Sequence, residues 1–217
     1  MNKNENKLEV RDYSAVFDTR EGENDGVIIG RPIVFNTVTD LGYFDEVIER
    51  GALDGANLRD IRLCLNHDTS YVYARSRNNS ESSTMQFRIT DKGMEIRAEL
   101  DIESSPKAQD LYSAIKRKDI DQMSFMFAVA EDRWDDLDTD HPTRHILSIA
   151  SVVEVSVCPF AAYPTTEVFA RSKEALESAR SDALERARQQ RCDAPEGADN
   201  TDALALAKAR FNLIAGG

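Results

Sequence analysis

Three side chains of this 217-residue chain could together carry acyl-transfer chemistry: Ser124, His67 and Glu154. A hydroxyl that attacks a carbonyl needs a base to take its proton. The base in turn needs a carboxylate that fixes its tautomer and steadies the imidazolium it becomes. Chain order sets no limit, because this constellation recurs on unrelated folds. Each residue also has an ordinary account. Ser124, in Asp121-Gln122-Met123-Ser124-Phe125-Met126-Phe127, is a small hydroxyl among bulky apolar neighbours, where most serines only hydrogen-bond locally. His67 ends the alternating run Ile61, Leu63, Leu65, where a lone histidine is more often structural. Glu154 interrupts Val152-Val153-Glu154-Val155-Ser156-Val157 and must face solvent or a partner, since a carboxylate buried alone costs several kcal/mol.

The other two histidines suggest a metal instead. His141 and His145 lie four apart beside Asp138 and Asp140, but Pro142 between them breaks the helix that such ligand spacing requires. No metal and no cofactor is expected. Cys64, Cys158 and Cys192 are too few and too unevenly spaced for a disulfide framework or a zinc knuckle, which points to a reducing cytosol.

Composition narrows the class further. The formal net charge is −12, and the stretch 171–217 carries eight basic and eight acidic residues, so the whole excess sits in residues 1–170. An acidic body repels phosphate backbones, which argues against nucleic acid as the ligand and suits a polypeptide partner with basic segments. No run of about 18 apolar residues offers a membrane span, and the polar start Met1-Asn2-Lys3-Asn4 has no apolar core of a secretory signal.

The elements that would position these residues read mainly as strands. Residues 1–7 read as disordered, Leu8–Phe17 as a first strand, and Val27–Phe35 as a second with Pro32 at an edge or bulge. Gly42–Leu53 reads as one or two helical turns broken at Gly51. Ile61–Leu65 alternates as a strand, Arg75–Ser83 is a polar loop, and Met85–Ile89 pairs through Asp91-Lys92-Gly93 with Met94–Leu100 as a hairpin. Ser105-Pro106 caps an amphipathic helix over 106–118 that delivers the chain to the Ser124 strand. Asp135–Pro142 is an acidic loop, followed by strands Arg144–Ile149 and Val152–Cys158. Ser172–Gln190 reads as a solvated helix, Cys192–Asn200 as a linker, and Thr201 caps a last helix. Short strands with few helices indicate an α+β, mainly β domain, a closed barrel or sandwich over 8–170, with a helical extension over 171–217.

Several blocks in order resemble the prohead (capsid maturation) proteases of HK97-like tailed phages and prophages. They are Gly30-Arg31-Pro32-Ile33-Val34-Phe35-Asn36, Phe44-Asp45-Glu46-Val47-Ile48-Glu49-Arg50-Gly51-Ala52-Leu53, and Leu65-Asn66-His67-Asp68. After these come Met123-Ser124-Phe125 with Phe127 and Trp134, then Glu154-Val155-Ser156-Val157, and Ala162-Tyr163-Pro164. The resemblance implies a serine endopeptidase on a small closed β-barrel with flanking helices, like the herpesvirus assemblins. It implies Ser124 as nucleophile, His67 as base and Glu154 as supporting acid, with Asp68 a weaker rival for the third place. Arg75 matches a basic position that could polarise the carbonyl. By the same resemblance the enzyme works without cofactor inside the assembling procapsid in the host cytoplasm. It cuts the scaffolding region of the major capsid protein and itself, the latter within 171–217, and forms a homodimer or higher oligomer. The family often has glycines where this chain has Gln122 and Met126, and a proline where it has Ala161. These departures carry the alternative, a non-enzymatic assembly or scaffolding factor on a decayed protease fold.

Overall fold

The computed structural model describes residues 8–13, 26–159 and 166–192. The expectations for 1–7, for 14–17, for the linker after Cys192 and for the helix from Thr201 lie outside them. In chain order the elements are β1 (Leu8–Tyr13), β2 (Val27–Val34), β3 (Thr39–Asp40), β4 (Asp45–Ile48), β5 (Asp60–Leu65), β6 (Ala74–Arg77), β7 (Met85–Thr90) and β8 (Gly93–Glu99). After these come α1 (Pro106–Lys116), β9 (Gln122–Asp135), β10 (Thr143–Cys158) and α2 (Thr166–Cys192).

The spine is β10. It runs antiparallel to β9 along nearly its whole length. On its other edge it pairs in parallel twice, first with β4 over Thr143–Ile146 and then with β5 over Glu154–Val157. Where two strands were expected there is one, with register irregularities between Ile146 and Glu154 that let it bend. β1 pairs antiparallel with the far edge of β9, β3 with β4, and β6 with β5. The strands β2, β8 and β7 form a separate three-stranded sheet. No closed barrel forms among the described residues, contrary to the expectation: the smaller sheet faces the larger one across the core and pairs only within itself.

Period-2 alternation fills that core. Met123, Phe125, Phe127 and Val129 on β9 meet Ile28, Ile33, Met94 and Ile96 of the smaller sheet. Each such buried side chain contributes roughly 1.5–3 kcal/mol. Phe125 and Phe127 stack at 4.6 Å between centroids. Pro32 falls in the register slip of β2, as expected. At Gly93 (φ +139°) a Cβ would land on the Ile33 carbonyl, so the tight entry to β8 admits only glycine.

Two segments differ from expectation for legible reasons. Asp45–Ile48 is a strand rather than helix because Glu46, Val47 and Ile48 are all buried against β10. Glu46 is tolerated there by Arg11, whose Nη2 lies 2.8 Å from Oε2, and by Arg144 at 3.2 Å. Ala74–Arg77 is a strand because Ala74 and Ser76 point inward, a pattern too small and polar to stand out in sequence.

Helix α1 begins where Ser105 accepts the Ala108 N–H, with Pro106 in its first turn. It ends at a left-handed Lys118 (φ +63°), whose N–H bonds Ile115 O while that of Asp119 bonds Ala114 O. This reversal aims the chain into β9. The chain divides into two units, 1–176 and 177–217. Within the first, Leu176 packs with Leu41 and Phe44. In the second, the described residues continue α2, with Leu184 exposed. Among the described residues no helix is long and apolar enough to cross a membrane.

Two stability predictions follow from charge and backbone. Burial works against ionised Glu9, but Arg11 and Arg144 outweigh it and bring its carboxyl from 4.5 down to about 2. A depressed carboxyl contributes stability above its unfolded value and loses it as pH falls through the folded one. The stability of wild type relative to Glu9→Gln is therefore constant above the ordinary carboxyl range and falls as pH drops from 4.5 toward 2; urea titrations across that range measure it. Lys118→Gly relieves a strained φ at an exposed position and raises stability by about 1 kcal/mol, read by the same titration at pH 7.

Candidate active site

The pairing of β9, β10 and β5 sets three residues side by side on one face. Ser124 lies directly opposite Ser156, and Ser156 in turn lies beside Cys64. Glu154, two residues back on β10, shares the face of Ser156. Directly opposed residues of an antiparallel pair hold their Cβ atoms about 4.5–5.5 Å apart, so the Ser124 side chain is one strand spacing from the Glu154 group. Ser124 and Ser156 are wholly buried, and Glu154 is 2% exposed.

His67 reaches this face from the end of β5. The ladder's last bond is Asn66 N–H to Val157 O. The chain then turns with Asn66 at φ +53° and His67 at φ +60°. A histidine in that left-handed region costs on the order of 1–2 kcal/mol. The turn swings the imidazole back over β10, where Nδ1 meets Glu154 Oε2 at 2.8 Å. An ionised carboxylate can only accept, so Nδ1 carries the ring proton and Nε2 of the neutral ring is the basic nitrogen. Ser156, which the sequence reading passed over, bonds both partners: it accepts the His67 N–H at 2.9 Å and donates to Glu154 Oε1. The only sequence signal for it was its place two residues after a strand glutamate.

The Ser124 hydroxyl donates to the Arg11 carbonyl of β1 at 2.9 Å. Cys64 offers no rival nucleophile, since burial, reinforced by the Glu154 charge, pushes its thiol up to about 12. Asp68 is turned to Ser70, whose hydroxyl and N–H hold its carboxyl below the usual range. Arg75 is held by both oxygens of Asp60 at 2.6 Å and stands on β6. Three strand spacings, about 14 Å, separate β6 from β9. The structure does not bring Arg75 to the Ser124 group.

The two other histidines are not brought together. His141 Nε2 is 3.2 Å from the half-buried Asp45 and 3.8 Å from the exposed Asp40. His145 joins Glu49 and Asp135 instead. Beside the His67 turn, a cavity of about 440 Å³ is lined by Leu65, Asp68, Tyr71, Tyr73, Leu111 and Ile120 among others.

Glu154→Gln is predicted to remove the downfield Nδ1–H resonance of His67 or shift it upfield, because the bond at 2.8 Å is lost, as read by proton NMR. An unchanged resonance would mean that the pair is not formed in solution.

A sequence model of the family described as Caudovirus prohead serine protease matches residues 13–180 of the chain. No curated protein and no solved structure matches it.

Proposed function

We infer the function from one premise: the chain belongs to the caudovirus prohead serine protease family. Membership implies serine peptidase activity in phage capsid maturation and contact with capsid proteins. Beyond that, the proposed machinery is Ser124 as nucleophile, His67 as base and Glu154 as supporting acid. The observation that carries it is the partly buried Glu154–His67 bond with Ser124 one strand away on the same face.

In the proposed reaction the Ser124 hydroxyl turns from the Arg11 carbonyl toward the imidazole. His67 takes its proton as Oγ attacks the scissile carbonyl carbon. Glu154 keeps the proton on Nδ1 and balances the imidazolium. The tetrahedral intermediate collapses, the C–N bond breaks, and the imidazolium gives its proton to the departing amine. Water, deprotonated by His67, then hydrolyses the acyl-enzyme and restores Ser124.

The proposed substrates are the scaffolding region of the major capsid protein and the chain itself within 171–217. The proposed setting is the procapsid interior, and the proposed assembly is an assemblin-like homodimer. The largely exposed polar surface of α2 over 177–189 supports a segment that can be docked and then removed. The cavity beside His67 is the proposed seat for a substrate side chain, its apolar floor formed by Leu65, Leu111 and Ile120.

Intact-mass spectrometry of the purified chain with its capsid precursor tests this. Wild type should shorten the precursor at defined positions. Ser124→Ala and His67→Ala should each lower the rate by about 10⁴-fold or more, and Glu154→Gln by about 10⁴-fold. Equal processing by wild type and Ser124→Ala would refute the assignment; no processing by any of them would favour the scaffolding-factor alternative.

A further inference from the structure

Ser156 occupies a position that the triad does not explain. It is wholly buried, on the one strand that separates the nucleophile strand β9 from the histidine strand β5. A serine hydroxyl has one proton to give and two lone pairs to accept with. Here the proton goes to Glu154 Oε1, and a lone pair takes the His67 backbone N–H at 2.9 Å. One oxygen atom therefore holds the carboxylate and the main chain of the histidine that the carboxylate must meet.

Both restraints matter geometrically. The β5–β10 ladder ends at Asn66, so the His67 N–H is the first donor beyond it, in a left-handed backbone that nothing in the ladder maintains. The carboxylate has two oxygens, Oε2 on the imidazole and Oε1 on Ser156, so its plane is fixed only while both are engaged.

We propose that Ser156 is a positioning residue: its hydroxyl locks the Glu154 carboxylate and the His67 backbone so that Nε2 faces Ser124. This rests on the assignment of Ser124, His67 and Glu154 above. The residue touches no reacting atom; it acts through its two partners. A serine serving only to satisfy a buried N–H would affect stability and leave turnover per folded molecule alone.

The test uses the full chain as wild type, Ser156→Ala, Ser156→Thr, Glu154→Gln and His67→Ala. Proton NMR records the downfield Nδ1–H resonance of His67, assigned by its loss in the last two variants. Cleavage of the capsid precursor gives kcat and KM. Ser156→Ala, at an unchanged folded fraction, should lose or shift that resonance upfield. Its kcat should fall 10- to 100-fold, as expected for a misplacement near 1 Å, with KM within about twofold. Ser156→Thr, which keeps the hydroxyl, should restore both the resonance and kcat. Retention of the resonance in Ser156→Ala, or a kcat within twofold of wild type, overturns the proposal. If wild type cleaves nothing, the peptidase assignment fails, and the resonance still decides whether Ser156 holds the pair. If Ser156→Thr does not fold, the alanine variant carries the decision alone.

Discussion

A carboxylate 2% exposed inside a sheet constrains everything around it. Left alone, the Glu154 charge would cost several kcal/mol, so each oxygen must be occupied. One is bound by the His67 ring and the other by Ser156. Those partners reach it only because β10 pairs in parallel with β5 at Glu154–Val157 and antiparallel with β9 opposite Ser124. A slip of one residue in either pairing would turn Glu154 and Ser156 to the apolar face. The requirement that the charge be satisfied and the requirement that the site be assembled are thus one constraint on register.

A second buried group of charges anchors the strand on the other side of β9. Arg11 of β1 meets Glu46 of β4, and Arg144 of β10 meets both Glu46 and Glu9. Burial works against the Arg144 guanidinium, but Glu9 and Glu46 hold its pKa above the ordinary arginine value. This network fixes β1 beside β9, and β1 in turn supplies the carbonyl that accepts the Ser124 hydroxyl. The apolar face of β9 is filled by core side chains, while its other face carries the serine. Core packing and the proposed nucleophile are thus divided between the two faces of one strand.

The parts legible in the sequence are those that depend on local pattern. Ser105-Pro106 marks the start of α1, Asp91-Lys92 closes the β7–β8 hairpin, and Pro32 sits in the irregularity of β2, each through backbone chemistry that neighbours alone decide. The alternation around Ser124 likewise gives its strand and face. What escaped depends on distant partners. Glu46 and Glu49 look like the polar side of a helix, and only Arg11 and Arg144, far away in the chain, make Glu46 tolerable in a buried strand. Ser156 was invisible because its role lies in two bonds, one to a residue 89 positions away. Arg75 matched by position, yet its guanidinium is committed to Asp60. The separate smaller sheet escaped because alternation gives strands but not which of them pair.

The central claim is that Ser124 is the nucleophile. Its most direct measurement is to incubate the full chain with an alkyl fluorophosphonate and locate the phosphonylated residue by peptide mass spectrometry. The proposed assignment predicts one phosphonyl group, on Ser124, with Ser156 unmodified. A label on Ser156 or on any other hydroxyl while Ser124 stays free would contradict it, as would no label on a preparation that cleaves the capsid precursor.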